Sequence, residues 1–95
     1  MSWNSETKSF TLPDQLTIAT MPKFLAQTKA DSLPVESVNC QAIVQADSSV
    51  LALFLQWSLQ RQAPIQVHAM PESLVRLVEL YEIESHLQII DGARE

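Results

Sequence analysis

Apolar residues change their spacing several times along the chain, and each change predicts a different secondary structure element. Residues 8–12, KSFTL, alternate loosely between polar and apolar side chains, which predicts a β-strand closed by the turn-forming pair Pro13 and Asp14. From residue 21 to residue 28 the apolar positions recur at helical spacing. Pro22 fits the first turn of that helix, where its missing N–H has no partner to lose.

The middle of the chain predicts a strand, a helix and a second strand in direct succession. Residues 35–45, VESVNCQAIVQ, are rich in β-branched side chains and poor in charge, which is typical of an interior strand. A helix is expected from residue 49 to residue 61 or 62, where the break at Ala63 and Pro64 begins. Residues 65–70, IQVHAM, alternate as a half-buried strand does.

The last third predicts another helix and a short final element. Pro71 begins the helix, Glu72 and Arg76 pair at i,i+4, and one apolar face carries Leu74, Leu77, Val78 and Tyr81. Residues 83–90 form a short helix or strand, while residues 1–7 and 91–95 are expected to be loose ends. Strands that alternate with helices predict a single α/β domain over residues 1–95, a small mixed β-sheet covered by helices.

The helix that starts at residue 49 is apolar on more than one side. Its first stripe consists of Val50, Leu53, Phe54 and Trp57, and we expect this stripe to enter the core. A second stripe contains Leu51, Leu55 and Leu59, and only Ala52, Gln56 and Gln60 form a less apolar face. One apolar face is enough for a helix on a sheet, so the second predicts a partner protein. Leu51, Leu55 and Gln56 are the expected partner-facing residues.

Composition excludes several classes of function and location. The net charge is −5 and the six basic residues are scattered, which argues against binding to nucleic acid or to anionic lipid. The chain has one cysteine, a polar first decapeptide and no apolar run of the roughly 20 residues that a bilayer requires. We therefore expect a cytoplasmic protein without membrane insertion.

Glycine and metal-ligand counts also limit the chemistry. The only glycine is Gly92, so phosphate-cradling loops and glycine-containing nucleophile elbows are absent. Any nucleotide must then be bound by another chain, and no cofactor is expected. Two histidines and one cysteine show no recognisable metal-ligand spacing, so no metal site is expected.

Asp47, Ser48 and Ser49 form a polar trio immediately before the apolar helix. Each could cap the helix, because short oxygen-bearing side chains accept hydrogen bonds from its free N–H groups. A serine at a helix N-terminus is also a favourable place for a phosphate.

Either serine, with Asp47 and His68 or His86, would supply the residue types of a hydrolase triad. However, Asp47 adjoins the serines instead of orienting a distant histidine. The glycine-made oxyanion turns are also missing. The sequence therefore predicts a protein that is not an enzyme and has no catalytic residue.

Two segments of the chain resemble a known family. VNCQAIVQADSSVLALFLQW followed by IQVHAMPESLVRLVELYEI is similar to the STAS domain, and the resemblance covers roughly residues 35–90. Within that family the segment DSSVLALFLQW is most similar to the small STAS subunit of the bacterial phospholipid-transport ABC system that maintains outer-membrane lipid asymmetry. Ser49 and Val50 depart from the family pattern, because glycine usually follows the hydroxyl residue.

The resemblance implies a function and a set of partners. The protein is expected to be a non-catalytic subunit that binds and stabilises or activates the ABC ATPase, which itself binds ATP. A permease and a lipid-binding subunit would be indirect partners, and the protein would lie peripherally on the inner membrane. Asp47, Ser48 and Ser49 are the expected partner-binding or phospho-acceptor corner. The alternative is an anti-anti-sigma-type regulator that is switched by serine phosphorylation.

Overall fold

Five strands form the main β-sheet of the computed structural model, which describes residues 2–90. Together with a separate pair, the described residues contain seven strands: β1 (Ser2–Asn4), β2 (Ser9–Thr11), β3 (Gln15–Leu16), β4 (Ser37–Asn39), β5 (Gln45–Ala46), β6 (Ile65–His68) and β7 (Leu87–Ile90). The α-helices are α1 (Met21–Thr28), α2 (Ser49–Arg61) and α3 (Glu72–Leu80), and two 3₁₀ helices span Ala30–Ser32 and Glu84–His86. None of the helices within residues 2–90 has the length and apolar character needed to cross a membrane.

The main sheet is mixed, with strand order β1-β2-β4-β6-β7, and β3 pairs with β5 in a separate two-stranded sheet. β1 is antiparallel to β2, and every other pair in the main sheet is parallel. One α-helix follows each of β2, β4 and β6 before the next parallel strand, and each step moves one position in the same direction. Because crossovers between parallel strands are right-handed as a rule, steps in one direction place their helices on one face of the sheet.

Burial along the strands agrees with a sheet that is covered on one face. Phe10, Val38 and Val67 are buried, whereas their neighbours Thr11 and Asn39 are only partly buried. The predicted α/β class with a mixed sheet and covering helices is confirmed.

The predicted core stripe of α2 is buried, as expected from its helical spacing. Val50, Leu53, Phe54 and Trp57 all belong to the core cluster. Trp57 is 1% exposed, its ring centroid lies 6.2 Å from that of Phe10, and its Nε1–H donates to the carbonyl oxygen of Ala30 at 2.8 Å. This hydrogen bond satisfies the indole N–H and connects α2 to the 3₁₀ helix after α1.

The predicted strand over residues 35–45 is wrong in its extent. Only Ser37–Asn39 joins the main sheet, and Gln45–Ala46 pairs with β3 instead. Asn39 gives the reason, because its Oδ1 accepts the backbone N–H of Gln41 at 2.8 Å. Such a local bond turns the backbone away from an extended conformation.

The expectation of loose residues 1–7 is also wrong where the structure describes them. Ser2–Asn4 forms an antiparallel edge strand, and the Trp3 ring centroid lies 6.4 Å from that of Phe10. The Oδ1 of Asn4 accepts the N–H groups of Glu6 and Thr7, which closes the turn into β2. Residues 91–95, the other predicted loose end, lie outside the described residues.

The last third largely follows its predicted pattern. Leu74 and Val78 are buried, and Arg76 Nη2 lies 3.0 Å from Glu72 Oε1. Tyr81 was expected on the apolar face but is 52% exposed, because α3 ends at Leu80 and the chain has turned before the tyrosine can reach the core. Residues 83–90 were expected to form a short helix or strand, and they contain one of each, a 3₁₀ helix and β7.

Replacing Trp57 with alanine should lower the free energy of unfolding by about 3–5 kcal/mol, because it leaves a large cavity and an unpaired Ala30 carbonyl. Leu59→Ala is the matched control on the exposed side of the same helix and should change stability by about 0.5 kcal/mol or less. Urea unfolding measures both variants. Equal midpoints for Trp57→Ala and the wild type would contradict the placement of this side chain.

Gln62→Gly should stabilise the domain by about 1 kcal/mol, because Gln62 ends α2 in the left-handed region with φ 56°. Ala52→Gly, inside the same helix at an exposed position, should instead destabilise by about 1 kcal/mol. Thermal melts followed by circular dichroism separate the two effects. A loss of stability in both variants would show that the left-handed residue carries no conformational cost.

Candidate functional site

The polar trio lies at the junction between β5 and α2. Ser48 occupies the N-cap position, but its side chain makes no capping hydrogen bond and is exposed. Asp47 binds the helix start instead, because its Oδ1 accepts the Ser49 backbone N–H at 3.0 Å and the Ser49 hydroxyl at 2.5 Å. Of the three residues that could have capped the helix, the aspartate therefore takes that role, and the Ser48 hydroxyl faces outward.

The second oxygen of Asp47 joins the helix start to the loop that follows β3. Its Oδ2 accepts the backbone N–H of Ile18 at 2.9 Å. The same loop is closed by a bond from the Thr17 N–H to the Thr20 hydroxyl at 2.9 Å. Ile18 is thus held by its backbone while its side chain is 76% exposed. We call Ile18, Asp47, Ser48 and Ser49 the α2 corner.

The hydrogen bonds at Asp47 favour its ionised form. The Ser49 hydroxyl and the Ile18 N–H lower the pKa of this carboxyl below its ordinary value, with a smaller contribution from the Ser49 N–H. Loss of solvent acts in the opposite direction but does not outweigh these bonds. Asp47 is therefore a carboxylate at neutral pH, positioned by donors on both oxygens.

A shallow groove continues from the α2 corner between α1 and α2. Its lining residues are Met21, Leu25, Ser49, Ala52, Leu53 and Gln56. Gln56 was expected to face a partner, and it is exposed on the rim of this groove. Of the other two expected residues, Leu55 is half-buried, and Leu51 is only 2% exposed.

The expectation for Leu51 is wrong, because α2 is covered on more than one side. The helix contacts β6, β7 and both 3₁₀ helices, so its second stripe is covered by the domain itself at the level of Leu51. These elements do not cover the stripe near the C-terminal end of α2, where Leu59 is exposed. The second apolar stripe is therefore an internal packing surface at Leu51, half-covered at Leu55 and exposed at Leu59.

The exposure of two apolar residues beside the β3–β5 sheet was not predicted from the sequence. Val44, immediately before β5, is 83% exposed, and Ile18 lies two residues after β3. Both flank the small parallel β3–β5 sheet, Val44 at its N-terminal end and Ile18 at its C-terminal end, and Ile18 contacts the trio through Asp47. Val44 was assigned to an interior strand, and only the turn after Asn39 reveals that it faces solvent.

The residue types of a hydrolase triad are not arranged around Asp47. Both oxygens of this carboxylate bind donors from Ser49 and Ile18, so the aspartate positions a helix start and a loop. His68 ends β6 on the sheet, and His86 ends the second 3₁₀ helix. Among residues 2–90, no group of three or more histidine, cysteine, aspartate or glutamate side chains could hold a metal ion.

Comparisons with known proteins found no relative of this chain. No protein-family model, curated protein or solved structure matches the chain. The role of the α2 corner must therefore be inferred from its geometry and from the pattern of the sequence.

Asp47→Ala should destabilise the domain at neutral pH, because it removes the side-chain acceptors of the Ile18 N–H, the Ser49 N–H and the Ser49 hydroxyl. A lowered folded-state pKa contributes stability above the ordinary aspartate pKa of about 3.9 and loses it as the pH falls through the folded value. The stability difference from wild type should therefore be constant from pH 7 to about pH 5 and shrink in stronger acid.

Urea unfolding at a series of pH values measures this difference. Ser48→Ala is the matched control, because its side chain makes no capping bond, and it should remain within about 0.5 kcal/mol of wild type. A difference that grows on acidification would contradict the assigned role of Asp47.

Proposed function

We propose that the protein is a non-catalytic STAS-like subunit that binds and stabilises or activates the ATPase of a phospholipid-transport ABC complex. The observation that carries this proposal is the free Ser48 hydroxyl at the start of α2, beside the exposed Ile18 side chain. Because Asp47 holds the helix start, the Ser48 hydroxyl can bind a partner without uncapping the helix. ATP is bound by that partner and not by this chain.

The order of elements supports a STAS-like interpretation. From β4 to α3 the chain places a strand, the polar trio, an apolar helix, a short strand and another helix in the order that the sequence resemblance implies. Residues of the trio lie at the N-terminus of the apolar helix, where the resemblance places the partner-binding or phospho-acceptor hydroxyl. The inserted β3–β5 sheet brings a second loop to that position.

The chemistry around Ser48 suits a protein partner. Ile18 and Val44 are large, apolar and mostly exposed, and burying either side chain contributes about 1.5–3 kcal/mol. The groove between α1 and α2 extends this surface with Met21 and Leu25. An apolar centre with a few oriented polar groups is typical of a protein–protein interface.

The proposed complex also defines the protein's location. The ATPase would hold this subunit at the cytoplasmic side of the inner membrane, and contact with the permease and the lipid-binding subunit would be indirect. A net charge of −5 disfavours direct binding to anionic lipid headgroups. The ATPase therefore provides the attachment in this proposal.

A phosphorylation-regulated anti-anti-sigma role is the second candidate, because the exposed Ser48 hydroxyl is accessible to a kinase. Ser49 is the poorer acceptor, since its hydroxyl already donates to Asp47 at 2.5 Å. A phosphate on Ser48 would gain from the N-terminus of α2 but would lie next to the Asp47 carboxylate. The two functions differ in their partners, which co-purification identifies.

Ser48→Glu should abolish association with the ATPase while the domain stays folded. A glutamate is tolerated at a helix N-terminus, but an unpaired charge inside an interface costs several kcal/mol. Ser48→Ala removes one neutral hydrogen bond and should weaken association about fivefold. Co-purification from native membranes, combined with circular dichroism melting, measures association and folding separately.

Leu59→Glu is the matched control for this experiment. It places the same charge at an exposed position near the other end of α2 and should leave ATPase association unchanged. Wild-type association by a folded Ser48→Glu variant would place the interface elsewhere. Capture of a soluble kinase and a sigma factor in place of the ATPase would favour the second candidate.

A further inference from the structure

The face of the main sheet that the helices leave uncovered carries two cross-strand rows of polar side chains. Thr11, Asn39 and His68 are aligned across β2, β4 and β6 by the strand register. Ser9 and Ser37 are aligned in the next row, two residues earlier along their strands. Because side chains alternate between the faces of a strand, both rows point away from the core residues Phe10 and Val38.

The row of Thr11, Asn39 and His68 lies where three neighbouring parallel strands end. Gln41 and Ala69, in the turns that follow β4 and β6, extend this edge and complete a shallow concavity with the two rows. The concavity therefore lies partly on the uncovered face and partly at the carboxyl ends of three parallel strands.

The backbone at the rim of the concavity is held in an uncommon conformation. Ala69 has φ 57°, in the left-handed region that a residue with a Cβ rarely adopts. The other four such residues between positions 2 and 90, at positions 8, 29, 62 and 82, have long polar side chains at turns or helix ends. Strained backbone of this kind concentrates at binding and active sites.

The lining of the concavity is polar and contains no lysine, arginine, aspartate or glutamate. The chain contains 6 basic and 11 acidic residues, yet the lining consists of hydroxyl, amide and imidazole side chains together with Ala69. Hydroxyls and amides both donate and accept hydrogen bonds. A charged ligand would find no lysine, arginine or carboxylate there and would lose part of its hydration, whereas a neutral ligand with many hydroxyls would meet hydroxyl and amide side chains.

We propose that this concavity, which we call the open-face site, binds a small neutral polyhydroxyl compound of the saccharide or polyol class. Neighbouring strands lie about 4.8 Å apart, so side chains from adjacent strands can contact different hydroxyls of one sugar ring. The lining lacks the apolar centre of a stable protein interface, which argues against a second copy as its occupant. The site lies across the sheet from the helices and is independent of the function proposed for the α2 corner.

An NMR titration of the ¹⁵N-labelled full chain tests this proposal, with maltose and glycerol as probes. Saturable amide shifts are expected at residues 11, 39, 41, 68 and 69 with at least one probe, while the amides of α2 stay unchanged. Thr11→Val keeps the shape of the side chain but removes its hydroxyl. This substitution should raise the half-saturation concentration of the probe about fivefold, the change expected from the loss of one neutral hydrogen bond.

Gln88→Ala is the matched control, because Gln88 lies exposed on β7 outside the concavity, and it should bind as the wild type does. Ser37→Ala serves as a second test variant if Thr11→Val does not fold. The proposal is overturned if neither probe gives saturable shifts or if Gln88→Ala weakens binding as much as the test variants. It also fails if sodium sulfate produces the same shifts, or if these amides shift with protein concentration alone, as a second copy would cause.

Discussion

The Asp47 carboxylate is the contact on which the proposed partner surface depends. One of its oxygens binds the start of α2 through Ser49, and the other binds the backbone of Ile18, 29 residues earlier in the chain. This arrangement frees the Ser48 hydroxyl from capping and fixes an apolar side chain beside it. The Asp47 carboxylate thereby positions Ile18 and Ser48, while its own oxygens accept hydrogen bonds within the domain.

The helical period was enough to predict the core stripe of α2. Val50, Leu53, Phe54 and Trp57 follow the helical period, and their burial required no knowledge of the tertiary structure. The break after Asn39 was not predicted, because a single side-chain bond to Gln41 outweighs the β-propensity of the residues that follow. A local hydrogen bond of this kind leaves only a weak signal in an apolar segment.

The exposed apolar residues were harder to predict, because exposure depends on which elements cover a helix. Leu51 and Leu59 belong to the same sequence stripe, yet one is buried and the other is exposed. Ile18 reaches the trio only through the β3–β5 pairing and its bond to Asp47, which join segments about 30 residues apart. The polar trio itself was identifiable, since its residue types and its place before an apolar helix are local features.

The α2 corner can be tested directly by hydrogen exchange of the protein with and without the ABC ATPase subunit, followed by mass spectrometry. The account predicts slower exchange in peptides that contain residues 17–21 and 44–49 when the ATPase is added. Peptides from β1 and β7, at the two edges of the main sheet, should exchange as they do in the free protein. Protection confined to these edges, with no change at the α2 corner in a stable complex, would contradict the account.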